Sequence, residues 1–159
     1  MKNFSIEIKW ALRFTLLTLA WAIGEKTIGL HDKHIENYGM CSLLFAFPAF
    51  LFFYLALAEK KKYFFNNQMD WKQGFVTGIV ISFIIALLNP LAQYVIYKSV
   101  TPHFFENIIA YKTKNTAMTL KTAQDLFNLK SYIIQTSFSG LSYGVITGAI
   151  VSMFIRNKK

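Results

Sequence analysis

Apolar side chains along this chain come in long, nearly unbroken stretches, not in the alternating pattern of half-buried strands or the one-sided pattern of surface helices. The stretches cover residues 10–30, 38–58, 75–97 and 132–155. An α-helix rises 1.5 Å per residue, so about 20 residues cross a ~30 Å hydrocarbon layer, and each stretch is long enough to do so. The pattern predicts an all-α, polytopic membrane protein, a single integral membrane domain over residues 1–159 with four transmembrane helices. The first stretch has some features of a cleavable leader: Lys2 and Lys9 precede it, and Ala20-Trp21-Ala22 has a small-x-small form. Glu7, Lys9 and Arg13 leave its apolar core short, however, and it is expected to stay as the first membrane helix.

The connection at residues 101–130 is patterned differently. Thr101 suits a helix cap, Pro102 the first helical position, and Glu106 the first turn, where the helix dipole favours negative charge. Phe104, Phe105, Ile108 and Ile109 share one face, with Lys112 continuing the row. A second helix is expected from Thr119 through Leu126 and Phe127 into the last span. Together they form an amphipathic hairpin that either lies on the bilayer or lids the bundle.

Composition supports the membrane assignment, with 54% apolar and 17% aromatic residues. The net charge of +9 does not indicate nucleic acid, because the cations gather at the ends of the apolar stretches, where they anchor helices at lipid headgroups. With both termini cytoplasmic, the inner side holds Lys2, Lys9, Arg13, Lys60, Lys61, Lys62, Lys72, Arg156, Lys158 and Lys159. These outnumber Lys26, Lys33, Lys98, Lys112, Lys114, Lys121 and Lys130 on the outer side, which places residues 31–37 and 101–130 outside. Cys41 is the single cysteine, so an intrachain disulfide is impossible.

Small residues recur every fourth position in two stretches. Thr136, Gly140, Gly144, Gly148 and Ser152 form one stripe; Gly74, Gly78, Ser82 and Ala86 form the other and lead to Pro90. Lipid tails are as apolar as leucine, so membrane helices associate through close backbone packing, which small residues permit. The stripes are expected to pack on each other within one chain, with a dimer face as the alternative. Asn89-Pro90 should bend the third helix and free the carbonyls of Ile85 and Ala86. Counted from the inner ends of their helices, Glu25 lies ~22 Å up, Asn89 ~21 Å and Ser139 ~24 Å, at a shared level in the outer half of the bilayer. Gln93 and Gln135 each lie one turn above, and the five residues form a candidate polar cluster. Ionisable groups at this depth are costly and point inward, which makes Glu25 the leading candidate.

The segment GEKTIGLHDKHIE, residues 24–36, concentrates acids, lysines and histidines. His31 and His34 with Asp32 or Glu36 could hold a zinc-like ion, with His103 added by a folded-over hairpin. The preferred reading is an interfacial connector: Glu25 alone reaches the bundle, and the histidines and other acids stay in water. No cofactor and no metal is assigned, and no nucleophile or phosphate-loop motif stands at diagnostic spacing.

The segments EIKWALRF, EKTIGLHDKHI, FAFPAFL, MDWKQGF, NPLAQY, TPHFF and NLKSYIIQ, in this order, resemble the bacterial membrane-protein family catalogued as domain of unknown function 4199. The resemblance covers nearly the whole chain. It implies a small inner-membrane protein of four helices and lends no functional residue. The residues favour a non-enzymatic component that meets the lipid bilayer and a partner, either a second copy or another membrane protein. A small-solute or ion pathway through the outer polar cluster is the alternative, and a membrane-embedded metal enzyme is the least favoured.

Overall fold

The computed structural model describes residues 4–157 and is all-α, with no strand among the described residues. Lys2, Lys158 and Lys159, part of the charge asymmetry above, lie outside the described residues. The main helices are α1 (Ser5–Thr27), α2 (Tyr38–Leu43), α3 (Ala46–Tyr63), α4 (Trp71–Val95), α5 (Phe104–Asn115), α6 (Leu120–Leu126) and α7 (Leu129–Ile155). Helices α1, α3, α4 and α7 form the bundle, and α5 with α6 covers one end of it. The end carrying Ser5 and Ile155 is called the terminal end; the other is the far end.

Among the described residues, three helical segments are long and apolar enough to cross a membrane: Ile35–Tyr63, Trp71–Val100 and Leu129–Ile155. Helix α1, expected as a fourth, has the length at 23 residues but not the uniform apolarity. Glu7, Lys9 and Arg13 sit near one end and Glu25 and Lys26 near the other. The second apolar stretch is not one helix from 38 to 58; it breaks at Leu44 and Phe45 between α2 and α3. Pro48 explains the break, since it lacks the amide that would bond back to the Leu44 carbonyl and is tolerated in the first turn of a helix. Helix α4 instead runs through Pro90 to Val95 and gives way to a π-helical turn at Ile96–Val100, so the chain departs from α-geometry after the expected place.

Side chains set several boundaries. Asp70 and Gln73 form a capping box that starts α4: the Gln73 N–H donates to Asp70 Oδ1 at 2.8 Å and the Asp70 N–H to Gln73 Oε1 at 3.0 Å. Thr119 caps α6 as expected. Helix α6 does not continue into α7, because Phe127 leaves helical geometry and Asn128 opens a new helix by accepting from the Ser131 N–H at 2.9 Å. At α5 the cap residue is His103, whose side chain makes no capping bond to the backbone. Thr101 is buried, and its carbonyl accepts from the Phe104 N–H at 3.2 Å.

The centre of the bundle is the antiparallel α4–α7 pair, the most extensive contact in the fold. A Cβ built on Gly78 would meet the Gly148 Cα at 2.8 Å, and one on Gly144 would meet the Ser82 Cβ at 2.9 Å. A Cβ on Gly74 would lie 3.0 Å from the Ser152 Cβ. The small-residue stripes therefore mesh within one chain, and Ser82 and Ser152 return their hydroxyls to the carbonyls of Gly78 and Gly148. Gly140 is the exception: it is exposed, and a Cβ there would meet nothing within 4 Å. Ala86, opposite it, is only half-buried. Around the glycine contact, Phe53, Leu57, Ile81 and Val151 pack with Trp10 into the terminal-end core.

Ion pairs tie α1 to α3 at this end. Lys60 Nζ lies 2.8 Å from Glu7 Oε1, both residues being buried; Lys9 pairs with Glu59, whose other oxygen accepts from Trp10 Nε1 at 2.9 Å. Glu7 and Lys9, two of the three charges that shorten the apolar core of α1, thus have partners on α3. A buried pair of this kind costs about 3–5 kcal/mol to break from one side.

Overpacking a close helix contact costs about 1–3 kcal/mol. Gly78→Ala is expected to lower thermal stability in detergent by that amount, whereas Gly140→Ala, in the same stripe pattern, leaves it unchanged. Equal effects of the two would mean that the glycine contact is not what joins the helices.

Candidate functional site

The site begins with how α1 ends. Gly29 adopts φ +80°, its N–H donates to the Lys26 carbonyl at 2.9 Å, and the Leu30 N–H donates to the Glu25 carbonyl at 3.0 Å. This is a Schellman-type stop, in which a left-handed glycine reverses the chain and the next residue packs back on the helix. Leu30 is buried, and His31 follows it under the helix end. Asn107 of α5 fixes the turn by donating from Nδ2 to the His31 carbonyl at 2.9 Å.

His31 thereby meets Glu25. Its Nε2 lies 3.3 Å from Glu25 Oε2, with both side chains buried. Glu25 Oε1 accepts from Trp21 Nε1 at 2.9 Å, one turn earlier on α1, and from Ser42 Oγ of α2 at 2.7 Å. Donors from three segments thus replace the water a carboxylate loses on burial, as they must, since an unpaired buried charge is far costlier than a hydrogen-bonded one. His31 Nδ1 is buried without a hydrogen-bond partner. The sequence expectation that His31 stays in water is overturned, whereas His34 and Asp32 are exposed as expected. His103 pairs with Glu106 at 3.1 Å on the exposed side of the lid, away from the turn. Among the described residues no three histidine, cysteine, aspartate or glutamate side chains come together.

Asn89 organises the other side of the site. Its Nδ2 donates to Thr136 Oγ1 at 2.8 Å and Ser137 Oγ at 2.9 Å on α7, and its Oδ1 accepts from Gln93 Nε2 at 3.0 Å. Gln93 is buried and, with Glu25, His31 and Thr136, lines one cavity of about 150 Å³. Three members of the expected cluster therefore belong together. Gln135 and Ser139 do not: both are exposed on a neighbouring face of α7, and Thr136 and Ser137 take their place. The difference is one residue of register, about 100° around the helix, which depth counting does not see.

Aromatic rings complete the walls and the roof. Tyr38, Tyr97 and Tyr132 converge, with Tyr38 in hydrogen-bonding reach of both others and of Ser42, and close enough to Glu25 to feel its charge. Phe104, fully buried at the start of α5, packs against His31, Tyr38, Tyr97 and Tyr132 with ring centroids 5.2, 4.9, 5.2 and 5.8 Å away. The apolar face expected on α5 is thus the one that meets the bundle, with Phe104 and Ile108 buried and Phe105 and Ile109 half-buried. Sequence reasoning missed Trp21, Ser42 and the tyrosines as site residues. Gly29-Leu30 was the available sign that the chain folds back, and Trp21 lies one turn before Glu25.

Truncating a buried phenylalanine costs about 3–5 kcal/mol. Phe104→Ala is therefore expected to lower stability by that order and to speed amide exchange throughout α5, while Phe138→Ala, whose side chain is exposed on α7, changes neither. Unchanged α5 exchange in Phe104→Ala would show that this ring does not hold the lid.

The family described as protein of unknown function (DUF4199) matches residues 9–157 of the chain. No curated protein and no solved structure matches it.

Proposed function

The chain belongs to the DUF4199 family, and on that footing we propose that it is a non-enzymatic, four-span inner-membrane protein that binds a small polar solute in its far-end cavity. The observation that carries this reading is the shared cavity of Glu25, His31 and Gln93. Ionisable groups held at membrane depth are functional candidates by default, because a bundle needing only stability would do as well with apolar residues there.

Helix α1 is the fourth span in this reading. At 23 residues it is about 35 Å long, it packs along α4 and α3, and its first-turn charges are neutralised by α3. Lys60, Lys61, Lys62, Lys72 and Arg156 gather at the terminal end, which supports a cytoplasmic position for both termini. The far end then faces outward, and the solute arrives from that side.

A binding component fits the geometry better than a through-pathway. Below the cavity lie the close Gly78–Gly148 backbone contact and the apolar core around Phe53 and Ile81, which fill the middle of the bundle. A partner role is supported by a separate feature: Gln135 and Ser139 are exposed at bilayer depth on α7 beside Phe138 and Tyr143. An amide facing lipid is expensive, so a second copy or another membrane protein is the natural cover for that face.

The test is side-specific labelling in intact cells with Cys41 replaced by serine. Thr18→Cys, on the cavity wall, is expected to react with a small impermeant thiol reagent added outside, whereas Ala11→Cys, fully buried two turns nearer the terminal end, stays unreactive. A cysteine at Thr18 that reacts only from the cytoplasmic side, or from neither side, would contradict the outward-facing site.

A further inference from the structure

Resting on the solute-binding reading above, we infer that the cavity takes a small protonated amine. Charge excludes the opposite class first. Among the described residues no lysine or arginine lines the cavity, and the one carboxylate on its wall is Glu25, so an anion would meet repulsion.

Hydrogen-bond valence points to a ligand that donates. A carboxylate has about four lone-pair sites. Trp21 and Ser42 occupy two on Oε1 of Glu25 and His31 takes one on Oε2, which leaves one acceptor position. An acceptor position left on the cavity's carboxylate suits an ammonium group with an N–H to donate, which a quaternary ammonium lacks.

The walls supply the rest of the recognition. Trp21, Phe45, Tyr38, Tyr97 and Tyr132 all line the cavity, with the rings of Trp21 and Phe45 5.4 Å apart. Aromatic faces attract cations and also accept the methylenes of an alkyl chain. A bare alkali ion gains much less, since hard cations want a shell of oxygen ligands. Size sets the upper limit: the volume of about 150 Å³ matches a site that holds benzene, so about six non-hydrogen atoms fit.

The experiment is calorimetric titration of the purified full chain in detergent at mildly alkaline pH. The probes are n-butylammonium chloride, its neutral shape match 1-butanol, and potassium chloride. The wild type is expected to bind butylammonium saturably, one per chain and at least about tenfold more tightly than 1-butanol, with no saturable heat from potassium chloride. Glu25→Gln should erase the difference between the two organic probes. Trp21→Leu keeps the carboxylate and removes one aromatic wall, and it should weaken butylammonium several-fold, which serves as the check if Glu25→Gln does not fold. Equal binding of the two organic probes by the wild type, or undiminished amine binding in both variants, would overturn the amine assignment and leave the solute site standing. Silence of the wild type toward every probe, together with an unreactive cysteine at Thr18, would overturn the solute site itself.

Discussion

The fold depends on the backbone contact between α4 and α7. In lipid no hydrophobic force draws helices together, so association rests on how closely they can approach. Gly78 and Gly148 let the two Cα atoms meet, and Gly144 and Gly74 admit the side chains of Ser82 and Ser152 beside it. The contact excludes solvent from the terminal half and gives Phe53, Ile81 and Val151 a fixed surface to pack on. Toward the far end the contact ceases at Gly140. Side-chain hydrogen bonds take over there, with Asn89 reaching Thr136 and Ser137. A packed half and a polar half thus follow from where the small residues stop.

The polar half is built around a carboxylate that needs donors. Glu25 obtains them from its own helix, from the turn after it and from α2, so the position of each depends on the others. Gly29 makes this possible, since its left-handed backbone brings His31 back to a residue six positions before it. The lid belongs to the same arrangement. Phe104 packs on His31 and Asn107 binds its carbonyl, which couples α5 to the charged pair, and hence to whatever the cavity holds.

Helical content, the intrachain meshing of the stripes and the lid were legible in the sequence because each leaves a periodic mark. Glu25, Asn89 and Gln93 were legible as polar residues at unusual depth. Other features were not periodic. The Glu7–Lys60 pair joins residues far apart in the chain, and opposite charges on α1 and α3 gave no register for matching them. Gln135 and Ser139 had the right depth and the wrong face, a distinction that depends on which side of α7 meets α4. His31 was misplaced because a charged, histidine-rich segment resembles a solvated loop unless the stop at Gly29 is given weight. The breaks at Leu44 and Phe127 follow from Pro48 and Asn128, single residues whose effect long apolar runs conceal.

The central claim, that α4 and α7 of one chain meet through their small residues, is tested most directly by cysteine pairing. A Cβ at position 74 would lie 3.0 Å from the Ser152 Cβ, close enough for a disulfide after slight adjustment. In a Cys41→Ser background, Gly74→Cys with Ser152→Cys should give a disulfide on mild oxidation in the membrane, and the product should migrate as a monomer. The pair Ala86→Cys with Gly140→Cys should remain reduced under the same conditions. A product that migrates only as a disulfide-linked dimer would place the stripes between chains and contradict the account.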